Sequence, residues 1–499
     1  MTQATRAAWE QRAADLMPET RAFIAGRYQP AASGATFDCI SPIDGRSLGQ
    51  VASCADADAD AELAVVDARR TFESGVWSRL APVKRKAVMI RFAALIEAHA
   101  EELALLETLD MGKPINDALN VDLPGAARAI RWYGEAIDKV YDEVATTAHD
   151  ELGLVTREPV GVVAAIVPWN FPLVMACWKL GPALAAGNSV ILKPSEKSPL
   201  TAIRLAQLAL DAGLPAGVLN VLPGFGHTVG KALALHMDVD TLVFTGSTRI
   251  AKQLMVYAGE SNMKRVWLEA GGKSPHIIFA DTADLAAAAA AAASAIAFNQ
   301  GEVCTAGSRL LVERSIKARF MPLLIEALGQ WKPGHPLDPA TRVGALVDRQ
   351  QLETVLGYIQ AGHDQGATLV AGGNRVLEDT GGVFVEPTVF DEVNNRMRIA
   401  QEEIFGPVLS VISFDTPEQA VQIANDSPFG LAAGVWTSDL SRAHLTAKAL
   451  RAGSVWVNQY DGGDMTAPFG GFKQSGNGRD KSLHALDKYT ELKATWIKL

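Results

Sequence analysis

The sequence is poor in cysteine, with four in 499 residues, at Cys39, Cys54, Cys177 and Cys304. These cysteines form no C-x-x-C pair and show no paired spacing with histidines. Neither a disulfide framework nor a zinc site is therefore indicated, and no metal is expected. We expect a reducing compartment.

The sequence also lacks an excess of basic residues and any long hydrophobic run. The net charge is −10 and no block of lysines or arginines is present, which excludes a nucleic-acid surface. The most apolar segment, residues 285–298, is mostly alanine and is shorter than the ~20 residues that cross a bilayer. The N-terminal stretch MTQATRAAWEQRAADLM has no apolar core typical of a signal peptide. We therefore expect a soluble cytoplasmic protein with neither nucleic-acid nor membrane partners.

Apolar runs and helical stretches alternate between residues 160 and 270. The predicted strands are VGVVAAIV, NSVILKP, VLNVLPG, DTLVFTG and RVWLEAGG. The intervening helices end at glycines such as Gly187 and Gly213, which is the expected stop signal. Strands alternating with helices of this length predict an α/β fold with a parallel, doubly wound sheet.

Other parts of the chain indicate further units, and the length favours two or three. Residues 274–457 form a second α/β stretch with the predicted strands PHIIFA, SRLLVE, PVLSVISF and GSVWVN. Residues 59–106 are predicted to be helical, with a break at Leu80-Ala-Pro. The stretches ELGLVTREP (151–159) and YTELKATWI (489–497) alternate in polarity as half-exposed strands do. They are expected to pair with each other or with another subunit.

Several residues at predicted strand ends are suited to binding a dinucleotide. Glu196, in LKPSE, could hold ribose hydroxyls, and Lys193 could reach the same sugar; the alternative is a solvated ion pair. Gly246 and Ser247, in FTGST, lie between a strand and a helix, where free N–H groups favour anions. Gly226, in GFG, forms a similar turn.

Glu269 and Cys304 could carry chemistry. Glu269 ends an apolar strand beside a glycine pair, so its carboxylate is either capped by backbone N–H groups or available for proton transfer. Cys304 lies in the loop NQGEVCTAGS, among small and polar residues, unlike Cys177 with its apolar neighbours. A nucleophile and a small buried hydrophobe both remain open for Cys304 on these grounds.

The motifs taken together resemble the aldehyde dehydrogenase superfamily. PWNFP, LKPSE, FTGST, LEAGGKSP, NQGEVCTAGSR, EEIFGPV and PFGGFKQSGNGR occur in that family's order and spacing over essentially the whole chain. LEAGG and the ending SGNGRDKSLHALDKYTELKATWI are similar to the branch that oxidises γ-glutamyl-γ-aminobutyraldehyde and related polyamine-derived aminoaldehydes. The resemblance implies NAD-dependent oxidation of an aldehyde to a carboxylic acid.

The resemblance also implies the role of each matching residue. Cys304 matches the nucleophile that forms a thiohemiacetal and then a thioester, Asn170 the oxyanion donor, and Glu269 the general base. The implied cofactor-binding residues are Trp169, Lys193, Glu196, Gly226, Gly246, Ser247, Glu403 and Phe405. The implied substrate-binding residues are Met175, Trp178, Val303, Thr305 and Asp461.

Cofactor and substrate preferences are less determined by the sequence. Glu196 should repel a 2′-phosphate, so NAD is preferred, with NADP used less efficiently. Ala251 stands where the family commonly has a glycine, at the helix that follows the phosphate turn. Asp110, Asp461 and Asp464 could favour cationic aldehydes, although solvated surface is the alternative for all three.

The family's architecture implies interleaved domains and an oligomer. We expect an NAD-binding domain over residues 1–136 and 160–271, a catalytic domain over 272–480, and an oligomerisation extension over 137–159 and 481–499. A homodimer or homotetramer follows from this extension. The competing functions are a general aliphatic or aromatic aldehyde dehydrogenase, a CoA-acylating dehydrogenase, a cysteine–histidine hydrolase and a non-catalytic structural protein of the same fold.

Overall fold

The computed structural model describes residues 4–54 and 57–499. Its strands are β1 (Ala22–Ile24), β2 (Arg27–Gln29), β3 (Thr36–Ile40), β4 (Ser47–Ala52), β5 (Glu143–Ala145), β6 (Glu151–Pro159), β7 (Val162–Ile166), β8 (Ser189–Lys193), β9 (Leu219–Val221), β10 (Thr241–Thr245), β11 (Arg265–Glu269), β12 (Pro275–Ile278), β13 (Arg309–Glu313), β14 (Thr368–Ala371), β15 (Arg375–Val376), β16 (Phe384–Val385), β17 (Thr388–Asp391), β18 (Val408–Phe414), β19 (Phe429–Gly430), β20 (Ala432–Trp436), β21 (Ser454–Val457), β22 (Phe472–Lys473) and β23 (Thr490–Lys498).

Helices connect and cover these strands. They are α1 (Arg6–Asp15), α2 (Glu62–Ser74), α3 (Pro82–Ala98), α4 (Ala100–Met111), α5 (Ile115–Asp117), α6 (Leu123–Ala136), α7 (Pro172–Ala186), α8 (Leu200–Asp211), α9 (Lys231–Leu235), α10 (Thr248–Glu260), α11 (Leu285–Ala297), α12 (Arg314–Leu328), α13 (Arg349–Asp364), α14 (Arg398–Gln401), α15 (Pro417–Asn425) and α16 (Leu440–Ala449). No helix within the described ranges combines the length and apolar character that crossing a membrane requires.

The first large sheet has seven strands in the order β11-β10-β7-β8-β9-β1-β2. Its strands from β11 to β9 are parallel, and the hairpin β1–β2 extends the β9 edge in antiparallel fashion. Alternate residues of β7 enter two cores: Val163 packs with α7 and α8, whereas Val162 packs with α2 and α10. Both faces are therefore covered, which explains why the strands are continuously apolar.

The second large sheet has the order β14-β17-β18-β13-β12-β20-β21, with only the edge strand β14 antiparallel to its neighbour among its described strands. It too separates two cores, since Leu311 packs on one face and Leu310 on the other. These two sheets confirm the predicted α/β class with parallel sheets. The β1–β2 hairpin and the reversed β14 were not predicted, because strands of three or four residues show almost no periodicity.

A third sheet has the order β23-β6-β5 and is antiparallel throughout. Strand β23 pairs with β6 along its whole length, from Thr490 opposite Pro159 to Lys498 opposite Glu151. The two alternating segments in the sequence therefore pair with each other, one of the two arrangements expected. The other side of β23 has no strand partner among the described residues.

Candidate active site

A cavity of about 950 Å³ lies between the carboxyl edge of the first sheet and loops of the second α/β unit. Most of the residues that the sequence predicted for the site line it. They are Trp169, Asn170, Met175, Trp178, Gly246, Ser247, Glu269, Val303, Cys304, Thr305, Glu403, Phe405 and Asp461.

The first sheet supplies residues from the ends of three neighbouring parallel strands, β7, β10 and β11. The turn after β7 carries Asn170 and ends where a proline begins α7. Gly246 follows β10, and its N–H donates to the carbonyl of Glu269 at the end of β11 (3.0 Å). Ser247 caps the N-terminus of α10, its hydroxyl accepting the N–H of Ile250 (3.4 Å). Parallel strands bring these residues to one edge, which is where α/β sheets bind ligands.

Cys304 lies in the loop between α11 and β13. The alanine-rich helix α11 is capped by Asp284, whose carboxylate accepts the N–H of Ala287 (2.9 Å), and it packs its buried alanines against the second sheet. The loop then passes so close to Gly272 that a Cβ there would lie 2.3 Å from the carbonyl oxygen of Cys304. Cys304 is half-buried, whereas the other three cysteines are buried.

The local environment raises the pKa of the Cys304 thiol. Burial raises its pKa, and the negative charges of Glu403, Asp461 and Glu269 raise it further. A thiol must lose its proton to act as a nucleophile, so activation at this site requires a base or a positive charge.

Glu403 is held against the glycine pair that follows β11. Its Oε1 accepts the N–H of Gly272 (2.9 Å), and a Cβ on Gly271 would lie 2.0 Å from Oε2. Gly271 thus leaves room for the Glu403 carboxylate and Gly272 for the Cys304 carbonyl, so the two glycines of LEAGG have separate causes. Burial raises the pKa of Glu403 to about 7. Phe405 follows with a left-handed backbone (φ 57°), and its ring meets that of Trp169 edge-on at 5.1 Å.

The Glu269 carboxylate is buried, and neither of its oxygens has a hydrogen-bond partner among the described residues. Burial raises its pKa well above the ordinary value, the charge of Asp480 raises it further, and Lys179 and Lys488 oppose that shift. A carboxylate without a partner and with a raised pKa is suited to accepting a proton from a water molecule.

The buried ion cluster of Asp480, Lys179 and Lys488 was not predicted from the sequence. Lys179 Nζ lies 2.5 Å from Asp480 Oδ2, and Lys488 bonds the other carboxylate oxygen. All three side chains are almost inaccessible to solvent. Lys179 lies on the same helix as the predicted Met175 and Trp178, but its partner is 301 residues away, so no local pattern indicates the pair.

Three predicted cofactor-binding residues are not on the cavity wall. Lys193 ends β8 and is buried, and it pairs at 3.1 Å with Glu196, whose side chain is 33% exposed, so the pair is only partly solvated. Gly226 begins a π-helical turn over Gly226–Gly230.

Asp110, which was considered for the substrate, does not line the cavity either. It is fully buried, and its Oδ2 accepts the N–H of Leu200 at the start of α8 (3.0 Å).

The cavity mouth carries charges of both signs. Asp461 and Asp464 line it together with Arg128 and Lys481, two cations that the sequence did not indicate. Lys481 lies over the ring of Trp178 at 5.4 Å. Because the four formal charges cancel, the mouth offers partners to a cationic and to an anionic group alike.

The residues present fit a dinucleotide. The cavity runs from Cys304 to Ser247 at the N-terminus of α10, a position that favours phosphate. The methyl group of Ala251, where a glycine is common, packs into the core formed with Leu254, so it does not obstruct the turn. None of the described residues that line the cavity is a histidine, which removes the partner that a cysteine–histidine hydrolase requires.

Comparison with known proteins identifies the family. A sequence model of the aldehyde dehydrogenase family matches residues 28–495. The chain belongs to this family. Membership confirms the resemblance that the motifs indicated, and it makes the protein an oxidoreductase of the aldehyde dehydrogenase type.

Similar aldehyde dehydrogenases cover the chain almost completely. The NADP/NAD-dependent aldehyde dehydrogenase PuuC of Escherichia coli (strain K12) is 59% identical over 491 residues, 98% of each chain. A mutant of the indole-3-acetaldehyde dehydrogenase AldA of P. syringae, solved with NAD+ and IAA, is 79% identical (TM-score 0.99, 100% of both chains). The γ-glutamyl-γ-aminobutyraldehyde dehydrogenase of Burkholderia cenocepacia J2315 is 62% identical (TM-score 0.98, 99% of this chain and 100% of that one).

Proposed function

We propose that the protein oxidises an aldehyde to the carboxylic acid with NAD, through a covalent thioester on Cys304. The observation that carries the proposal is the single cavity onto which Cys304, Asn170 and Glu269 open together with the N-terminus of α10. A nucleophile, an oxyanion donor, a base and an anion-binding helix end are the parts that this reaction needs.

The first half-reaction joins the substrate to the enzyme. The Cys304 sulfur, once deprotonated, attacks the aldehyde carbon, and a C–S bond forms as the carbonyl oxygen becomes an oxyanion. The Nδ2 of Asn170 and the backbone N–H of Cys304 hold that oxygen. NAD bound in this cavity would supply the hydride acceptor, and loss of hydride from the thiohemiacetal carbon would leave a thioester on the Cys304 sulfur.

The second half-reaction releases the acid. Glu269 takes a proton from water, the resulting hydroxide attacks the thioester carbon, and the C–S bond breaks to return the Cys304 thiolate. Burial does most to raise the pKa of Glu269; the charge of Asp480 raises it further, and those of Lys179 and Lys488 lower it. A base that activates water favours hydrolysis of the thioester over transfer of the acyl group to CoA.

Residues of the first sheet would hold the cofactor. The N-terminus of α10, with Gly246 and Ser247, would bind the pyrophosphate, while Lys193 and Glu196 would meet the adenosine ribose. The Glu196 carboxylate would repel a 2′-phosphate and so favours NAD over NADP. Glu403 and Phe405, on the second unit's side of the cavity, would position the nicotinamide end.

An aminoaldehyde, or its γ-glutamylated form, is the substrate class that the mouth supports best. Asp461 and Asp464 can attract an ammonium group, and Arg128 and Lys481 can attract a carboxylate. A γ-glutamylated aldehyde carries both groups. The names of the E. coli and B. cenocepacia relatives support this class.

An aromatic aldehyde such as indole-3-acetaldehyde is the second candidate, because aromatic side chains form much of the wall. They are Trp169, Phe171, Trp178, Phe298, Phe405, Trp456 and Phe469. The name of the P. syringae relative supports this candidate.

Steady-state NADH formation with four aldehydes tests the proposal. The panel is γ-glutamyl-γ-aminobutyraldehyde, γ-aminobutyraldehyde, indole-3-acetaldehyde and hexanal. We expect the γ-glutamylated aldehyde to have the highest kcat/KM. The highest kcat/KM with indole-3-acetaldehyde would favour the second candidate, and the highest with hexanal would indicate a general aldehyde dehydrogenase. If none of the four aldehydes gave NADH, the protein would be the non-catalytic structural alternative.

Assembly, domain boundaries and location are also part of the proposal. The domains would be residues 1–136 with 160–271, then 272–480, and an extension of 137–159 with 481–499; residues 1–3 and 55–56 lie outside the described structure. Strand β23 exposes Leu492, Trp496 and Ile497 beside its free edge, which supports a homodimer or homotetramer through this sheet. A cytoplasmic location suits a reaction that needs Cys304 reduced.

A further inference from the structure

Three consecutive residues just before Cys304 have left-handed backbones. Asn299 has φ 47° and ψ 40°, Gln300 has φ 57° and ψ 23°, and Gly301 has φ 70°. Only glycine adopts this conformation freely, and two adjacent non-glycine residues in it are uncommon. Such a backbone persists only where its surroundings fix it, and residues of this kind cluster at functional sites.

Contacts from three directions fix this turn. Asn299 is fully buried, and its Nδ2 donates to the carbonyl of Asn170 and to that of Glu302, both at 3.2 Å. Gln300 accepts the N–H of Gly344 through its Oε1 (3.0 Å). A Cβ on Gly301 would lie 2.4 Å from the backbone carbon of Gly406, so the turn touches the segment that follows Glu403 and Phe405.

The hydrogen bonds of Asn299 converge on the oxyanion donor. The Nδ2 of Asn170 donates to the same Glu302 carbonyl (2.8 Å) that accepts from Asn299. Asn170 is therefore tied to the cysteine loop through its side chain and to Asn299 through its backbone carbonyl. A primary amide has two N–H groups, so one remains to face the cavity that Asn170 lines.

We propose that Asn299 is a positioning residue that fixes the Asn170 amide relative to the Cys304 sulfur. Through its two hydrogen bonds it joins the turn after β7 to the loop that carries the nucleophile, and these two segments come from different units of the fold. The inference rests on the proposed function, since it assigns Asn299 a part in holding the oxyanion donor of that reaction.

Asparagine fits this position for two physical reasons. Both partners are carbonyl oxygens, which the two N–H groups of one amide nitrogen can satisfy together, whereas a carboxylate of the same shape would be repelled. Asparagine also tolerates a left-handed backbone better than most other residues. Asn299→Asp therefore removes the donor and keeps the shape, and Asn299→Gly removes the side chain and keeps the backbone conformation.

We expect both variants to lower kcat about a hundredfold, the usual effect of displacing a catalytic group by ~1 Å. The KM for NAD should stay within about twofold, because the cofactor residues are untouched. Wild-type activity in both variants would overturn the inference. Loss of the fold in both would also overturn it, because Asn299 would then serve folding alone.

A double-mutant cycle with Asn170→Ala separates positioning from general damage. If Asn299 acts through Asn170, adding Asn299→Gly to Asn170→Ala should cost less than threefold further in kcat. Gln300→Gly is the matched control: it alters the same turn, but its side chain contacts Gly344, so its effect should add fully to that of Asn170→Ala. If the kcat losses of Asn299→Gly and Asn170→Ala were fully additive in the double variant, Asn299 would not act through Asn170 and the inference would be contradicted. A wild-type enzyme without NADH formation would instead contradict the proposed function.

Discussion

Replacing Gly272 with alanine tests whether the reaction depends on the exact place of the cysteine loop. The added Cβ would lie 2.3 Å from the carbonyl oxygen of Cys304, against 3.4 Å or more in ordinary contacts. The neighbour is backbone and cannot rotate away, so the loop must shift by about 1 Å. Gly272 does not have a positive φ, so alanine meets no backbone strain there and the effect arises from this contact.

A shift of that size at the nucleophile should lower kcat about a hundredfold. Initial rates of NADH formation give kcat, and thermal unfolding monitors the fold. Gly259→Ala is the matched control: the added methyl meets nothing within 4 Å on α10, and alanine should stabilise that helix by roughly 0.5–1 kcal/mol without affecting kcat. Wild-type kcat in Gly272→Ala, or an equal loss in both variants, would show that kcat does not depend on this contact.

Three further predictions concern the base, its charge environment and the mouth. Glu269→Gln should keep a single-turnover burst of NADH in stopped-flow experiments but turn over slowly; absence of a burst would contradict its role in thioester hydrolysis. The raised pKa of Glu269 means that kcat is lost as pH falls through that pKa. Asp480→Asn leaves two lysines unopposed, which lowers the pKa of Glu269 and should move this limb of the pH–kcat profile by ~1 unit to lower pH, while Lys179→Met should move it to higher pH. Shifts in the same direction would refute this electrostatic account. Asp461→Asn should raise KM for γ-aminobutyraldehyde more than for hexanal, and equal effects would leave Asp461 without a selective role.

The sequence predicted those parts of the structure that depend on local pattern. Buried parallel strands such as β7 and β8 appear as continuous apolar runs, and glycines mark the ends of the helices between them. The polar and small neighbours of Cys304 distinguish it from Cys177, and the structure leaves Cys304 alone partly accessible among the four cysteines.

Features that depend on distant contacts could not be predicted in this way. The pair of Lys179 and Asp480 forms between residues 301 positions apart, so neither looks unusual in its own segment. Asp110 was considered either as a residue that favours cationic aldehydes or as solvated surface, but its buried carboxylate accepts a backbone N–H of α8 and does not line the cavity. The left-handed backbone of Asn299 has no local sequence signal, because tertiary contacts rather than glycine impose it.

The proposed reaction requires the substrate to become covalently bound to Cys304. Mass spectrometry of the Glu269→Gln enzyme, quenched during turnover with NAD and aldehyde, tests it most directly. We expect the tryptic peptide containing Cys304 to gain the mass of the substrate's acyl group, and Cys304→Ser to form neither adduct nor NADH. An unmodified peptide alongside a full NADH burst, or undiminished oxidation by Cys304→Ser, would contradict it.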